Sequence, residues 1–411
     1  MSIVTIFNAS FSREIEVSQG IARELGYRHV SKELLEKASG QSGLPSAKLD
    51  RALHGKPSIF NRFTREKEKN IAQIKLTLGE IIKDDNLVYY GFAALLLPKR
   101  ITHVLRVCLN ASQAFRIATA MESGQFESEN EARNKIRKDD KEIAQWAEFT
   151  HGLSPWERSL FDIKLPMHST TVEEAVRLVC EHARSDVVKT NSISSQALDD
   201  YILASRVNLA LAEEGHFDID VTSDEGEVTV FINKHILRLH HLENELRSIA
   251  IEVPGVNNLT IKVGADFYKA DIYRKQTFEV PKKVLLVDDE SEFVQTLSER
   301  LQMREFGTAV ALNGEEAMAM VESDEPEVII LDLRMPGIDG IEVLRRLKQQ
   351  HPEIEVIILT GHGTDKDRQI SMELGAFAYL EKPVDIDKLS ETMKAAYGAI
   401  RRKKNSGRQD D

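Results

Sequence analysis

Four short stretches of this chain each end an apolar run on a residue that can do chemistry. "VLLVDDE" presents Asp288 and Asp289, "VIILDL" presents Asp332, "VIILTGHG" presents Thr360, and "YLEKP" presents Lys382 just ahead of Pro383. Three carboxylates brought to one rim repel each other. A hard divalent cation such as Mg²⁺, which takes carboxylate and carbonyl oxygens together with waters, relieves that repulsion. A carboxylate is also a nucleophile towards phosphorus and yields an aspartyl phosphate. The cation and the Lys382 ammonium would then neutralise the charge spread over the transferring phosphoryl oxygens, with positioning supplying most of the catalysis. The Thr360 hydroxyl would hydrogen-bond the new phosphoryl group.

For these residues to meet, the strands that carry them must lie parallel, because ligands collect beyond the carboxyl ends of a parallel sheet. Residues 283 to 401 have the required rhythm. The runs "KVLLV", "TAVAL", "EVIIL", "EVIIL" and "AFAYL" alternate with helical patterns such as Phe293, Val294, Leu297 and Leu301. Near-continuous apolar strands separated by helices predict a doubly wound, five-stranded parallel sheet covered on both faces. Upstream, the polar stretch 267–282, including "DIYRKQTFEVPKK", breaks all periodicity and reads as a linker. Residues 192–266 read as helix, hairpin, helix and strand, with a turn at Asp224, Glu225 and Gly226, which is a small α+β unit. Residues 1–188 are again α/β and open with the strand "IVTIF", a turn, and a helix reaching "IARELGY". That turn is where a phosphate-binding loop would sit. Residues 402–411 read as a basic polar tail.

Over its full length, the segment 283–401 resembles the receiver domain of bacterial two-component response regulators, with five motifs in the same order. The resemblance implies that Asp332 is the phosphoacceptor. It also implies that Asp289, Asp332 and the main-chain carbonyl of Arg334 hold Mg²⁺, with Asp288 helping through water. Thr360 and Tyr379 correspond to the switch pair, and Lys382 to the lysine that contacts the phosphoryl group. Pro336 and Gly337 shape the turn after Asp332. The middle segment resembles the BON domain in its hairpin and in the turn Pro254-Gly255-Val256 ahead of a last strand. His235, His240 and His241 there read as surface histidines, because two adjacent residues on a helix point apart.

The first segment resembles the cytidylate kinase-like family of P-loop proteins, through "VYYGFAALLL", "HVLRVCLNASQAFRI", "EARNKIRKDDKEIAQW" and "FDIKLPMHSTTVEEAVRLV". Its departures bear on activity. Where that family has a glycine-rich turn, this chain reads "FNASFSREIEV", with no glycine to let backbone approach a phosphate and no lysine to meet it. The second signature is reduced to Gly91-Phe92, and Ile143 stands near the place of the lid arginine. Arg116, Arg137 and Lys138 remain and read as solvated side chains on helix faces. No residue is assigned to nucleotide binding, and the segment is expected to be a pseudokinase kept as a binding surface.

Bulk composition sets the outer bounds. A chain of 411 residues exceeds one hydrophobic core. A net charge of -12 disfavours direct DNA binding, and the absence of any long apolar run disfavours a membrane span. Without a leader pattern at the N-terminus, the expected location is the cytoplasm. Two cysteines, Cys108 and Cys180, are too few for a disulfide framework and read as buried thiols. The functional expectation is a phosphorelay response regulator, taking its phosphoryl group from a histidine kinase or phosphotransfer protein and switching an unknown output protein or small ligand. The alternative is a receiver-regulated nucleoside monophosphate kinase.

Overall fold

The computed structural model of the chain describes residues 2–54, 59–234, 239–264, 267, 280–361 and 363–406. They fall into two compact units, one spanning residues 1–56 and 68–274, the other 57–67 and 275–411.

In the first unit, five parallel strands form a sheet in the order β2-β3-β1-β4-β5. They are β1 (Ile3–Asn8), β2 (Arg28–Val30), β3 (Leu87–Tyr90), β4 (Val104–Asn110) and β5 (Ile163–Pro166). Side chains alternate across a strand. Ile3 and Phe7 accordingly enter the core on one face, while Val4 and Ile6 enter the core on the other. The same unit holds a three-stranded sheet, in which β6 (Ile219–Asp224) pairs antiparallel with β7 (Glu227–Ile232), and β7 pairs parallel with β8 (Asn258–Val263). The helix Ser192–Glu213, opened by an Asn191/Ser194 capping box, serves both layers. Its Leu198, Tyr201 and Ile202 belong to the core of the larger sheet, and its Leu203, Val207 and Leu211 to that of the smaller. A side chain at Gly79 would collide with Ile202 at 2.8 Å, so glycine there lets helix Glu66–Ile82 approach closely.

The second unit is the doubly wound sheet expected from the apolar runs. Strands β9 (Val284–Val287), β10 (Thr308–Ala311), β11 (Val328–Leu331), β12 (Glu355–Thr360) and β13 (Ala378–Glu381) are all parallel, in the order β10-β9-β11-β12-β13. Leu285 and Val287 face one apolar cluster, Val284 and Leu286 the other. Burial on both faces is why these strands read as unbroken apolar runs. The helices between them are capped as their sequences suggest: Asn313 accepts from Glu316 N, Asp339 from Ile341 N, and Thr364 forms a capping box with Asp367.

Two features of this unit are not visible in the sequence pattern. Residues 59–67, far upstream in the chain, belong to it. Phe60 is fully buried in the same apolar cluster as Leu285, Ala311 and Val321, and Lys283 Nζ reaches Glu66 at 2.5 Å and Asp324 at 2.9 Å. The expected linker lies mostly outside the described residues, but its last residues are packed. Val280 is buried, and Lys282 Nζ donates to the Glu305 carbonyl at 2.6 Å. The last helix, Ile386–Ser406, carries the "RRKK" sequence within it. Among the described residues, no helix is long and apolar enough to cross a membrane.

Candidate functional site

The acids, Thr360 and Lys382 of the second unit sit at or just beyond the carboxyl ends of parallel strands. Asp288 and Asp289 follow β9, Asp332 follows β11, Thr360 closes β12, and Lys382 follows β13. Asp288, Asp332 and Thr360 are buried, whereas Asp289 is exposed. The chain leaves β11 through the turn at Pro336 and Gly337. It then passes so close to the start of this loop that a Cβ on Gly340 would lie 2.2 Å from the Asp332 carbonyl oxygen. That approach admits only glycine.

Lys382 draws the acids together. Its Nζ donates to Asp288 Oδ2 at 2.7 Å and Asp332 Oδ2 at 3.0 Å, and it reaches Glu290 Oε1 at 3.3 Å. The same ammonium lies 4.4 Å from the centroid of the Phe293 ring, a cation–π contact. Burial works against the ammonium, but the Asp288 and Asp332 carboxylates overcome it and hold the lysine above its ordinary range. Burial pushes the Asp288 carboxyl up, with Lys382 and the Glu290 amide pulling the other way. The remaining oxygen of Asp332, Oδ1, accepts from Leu333 N at 2.6 Å and Arg334 N at 3.3 Å. Carboxylate oxygens of Asp288, Asp289 and Asp332 lie within 4.8 Å of one another. Such an all-oxygen set fits a hard divalent cation.

Tyr379 on β13 is half-buried. Its hydroxyl, which has no hydrogen-bond partner among the described residues, lies against Gly363, just beyond Thr360. The Arg334 side chain turns away to Asp367 Oδ2 at 3.2 Å. Two contributors went unread in the sequence: Glu290 and Phe293, which contact Lys382. The lysine's reach back to the start of helix Ser291–Gln302 sets both contacts, and no local motif announces them.

In the first unit the structure corrects one expectation. Arg116 is buried rather than solvated. Its Nε donates to the Ser10 carbonyl at 2.7 Å and its NH2 to Asp140 Oδ1 at 2.7 Å. Burial of a guanidinium requires such partners, and they come from distant stretches of chain. Arg137 and Lys138 are exposed, and Ile143 is buried in the core. His240 and His241 are exposed, His240 against Glu243 at 3.0 Å, while His235 lies outside the described residues.

Residues 284–394 match the family described as the response regulator receiver domain, and residues 3–169 match the cytidylate kinase-like family. The sporulation initiation phosphotransferase F of Bacillus subtilis is 38% identical over 113 residues, covering 28% of this chain and 91% of that protein. The transcriptional regulatory protein CpxR of Klebsiella pneumoniae is 41% identical over 113 residues, covering 28% of this chain and 48% of its own length. The chain therefore spans about half the length of that regulator. A crystal structure of a response regulator receiver domain protein from Clostridium thermocellum aligns with a TM-score of 0.28 at 33% identity, covering 29% of this chain and 96% of that one.

Proposed function

This chain belongs to the response regulator receiver family through residues 284–394, and on that premise we propose that Asp332 accepts a phosphoryl group and thereby switches the binding activity of the segments upstream. The donor is a histidine kinase or a phosphotransfer protein. An Asp332 carboxylate oxygen attacks phosphorus, the bond from phosphorus to the donor's nitrogen breaks, and that nitrogen keeps the electron pair. Asp288, Asp289, Asp332 and the Arg334 carbonyl would hold Mg²⁺, which supplies positive charge to the phosphoryl oxygens in flight. Lys382 adds an ammonium on the same side, and the Thr360 hydroxyl donates to the phosphoryl group once formed. The observation that carries the reading is the convergence on one rim of two buried carboxylates and an ammonium within 3.0 Å of both.

We assign residues 1–188 to a kinase-like domain without turnover, 192–266 to a BON-like domain, 267–282 to a linker, 283–401 to the receiver and 402–411 to a basic tail. The first two serve as a surface for an output protein or small ligand. The test of the chemistry is intact mass after incubation with acetyl phosphate and Mg²⁺. One phosphoryl group should add to the wild type and none to Asp332→Ala, and EDTA should stop the reaction. Labelling of the alanine variant at the wild-type level sinks the assignment.

A further inference from the structure

The turn between β1 and helix Glu14–Leu25 is held in an unusual way. Phe11 and Arg13 both adopt left-handed backbone, with φ of 61° and 58°, although neither is glycine. Single left-handed residues in a turn draw successive backbone amides towards a common point, which suits an anion, and the start of a helix adds its own positive potential. That point is already filled from within. Glu14 Oε2 accepts from Ser12 N at 2.7 Å and Glu14 Oε1 accepts from Phe11 N at 3.2 Å. Burial pushes the Glu14 carboxyl above its ordinary range, and the amides of Glu14, Ser12 and Phe11 offset only part of that shift.

Two cationic side chains beside the turn, Arg13 and Arg116, are also engaged. Arg13 pairs with Glu16 and Glu122, and Arg116 is bound to Ser10 and Asp140. Ser12 is fully buried, and its hydroxyl has no partner among the described residues. Next to the turn lies a cavity of about 460 Å³, whose walls include Asn8, Ser10, Glu14, Lys32, Tyr90 and Glu142. That volume is within the range of small-molecule sites, and it opens beyond the carboxyl ends of parallel strands, where ligands bind in this architecture.

We propose that Glu14 is a built-in anion that closes this turn to phosphate, so that a ligand of the adjoining cavity places no phosphate group at the turn. The turn is not merely short of glycines. Its two amides face a carboxylate of the same chain, already held in place beside them. An incoming phosphate would have to displace Glu14, which would then lie beside it as a like charge. The inference rests on reading residues 1–188 as a kinase-like fold without turnover.

The experiment uses the full chain as wild type, Glu14→Ala and Glu14→Ser, each titrated calorimetrically with inorganic phosphate. Affinity should rise at least ~10-fold in both variants, as expected when a competing internal ligand worth about 1.4 kcal/mol or more is removed. Equal affinity in folded variants and wild type overturns the proposal. Hydrogen exchange of the Phe11 and Ser12 amides in the wild type gives an independent reading that does not depend on the variants folding. These amides should be protected equally with and without phosphate. Protection that appears only on adding phosphate shows an open turn and also overturns it. Nucleotide turnover by the wild type would instead sink the kinase-like reading, so the two failures are distinguishable.

Discussion

Lys382 sets the electrostatics of the acidic rim. Removing it leaves Asp288 and Asp332 buried, close together and without their counter-charge. Lys382→Met is therefore expected to slow labelling of Asp332 by acetyl phosphate about 10²-fold, the scale seen when one preorganised charge-stabilising donor is lost. It should also lower the thermal midpoint, with Mg²⁺ restoring part of the loss. Labelling at the wild-type rate would show that the ammonium plays no part in the transfer. The two thiols make a separate residue-scale test. Burial pushes Cys108 up to about 12 and Cys180 up to about 11, so at pH 8 neither carries an appreciable thiolate fraction, and the thiolate is the reactive form. Iodoacetamide should leave both unmodified in the folded chain and modify both in urea; fast labelling of the folded chain would contradict their burial. The residues of the rim were legible in the sequence because each ends an apolar strand, and a strand end in a parallel sheet has a defined destination. Arg116 was not legible, because its partners Ser10 and Asp140 lie 106 and 24 residues away and nothing local distinguishes it from a solvated arginine. Glu14 was hidden for another reason: its role depends on left-handed backbone at Phe11 and Arg13, which those residue types do not signal.

The strands of the second unit followed from their composition, since burial on both faces demands continuous apolar residues and the sheet meets that demand on each side. The short helix Asn61–Thr64 with Phe60 had no such signal. An aromatic between two helices of an upstream domain looks the same whether it packs locally or completes the core of a sheet encoded more than two hundred residues later. Its burial gives a quantitative expectation. Phe60→Ala removes a fully buried aromatic from the cluster containing Leu285, Ala311 and Val321, and such truncations cost about 3–5 kcal/mol. Both tryptophans, Trp146 and Trp156, lie in the first unit, so their fluorescence does not report on the second. Hydrogen exchange of the β9 and β11 amides does. Their protection should fall by about two to three and a half orders of magnitude in the variant, by the usual conversion of about 1.4 kcal/mol per factor of ten. Unchanged protection would show that Phe60 is not part of that core.

At the scale of the whole chain, a receiver is joined to two further layers that have no strong motif of their own. The kinase-like part lacks both the glycines and the lysine of a phosphate loop, so a coupled assay with ATP and CMP should show no ADP formation dependent on the monophosphate. Turnover would revive the alternative of a receiver-regulated nucleoside monophosphate kinase. What the upstream parts do instead depends on whether they sense the receiver. In the proposed switch, a phosphoryl group of about -2 charge on Asp332 would draw the Thr360 hydroxyl inward, and Tyr379, whose hydroxyl lies against Gly363, would then settle against the space vacated. On this proposal both arrangements would be accessible beforehand, and the phosphoryl group would need to bias them only by the ~1–3 kcal/mol typical of coupled sites. The most direct measurement is hydrogen exchange of residues 1–266 with and without beryllofluoride, an acyl phosphate mimic, in wild type and in Thr360→Ala. The account predicts that beryllofluoride changes upstream exchange in the wild type and leaves it unchanged in the variant. No upstream change in the wild type, or an equal change in both, would contradict it.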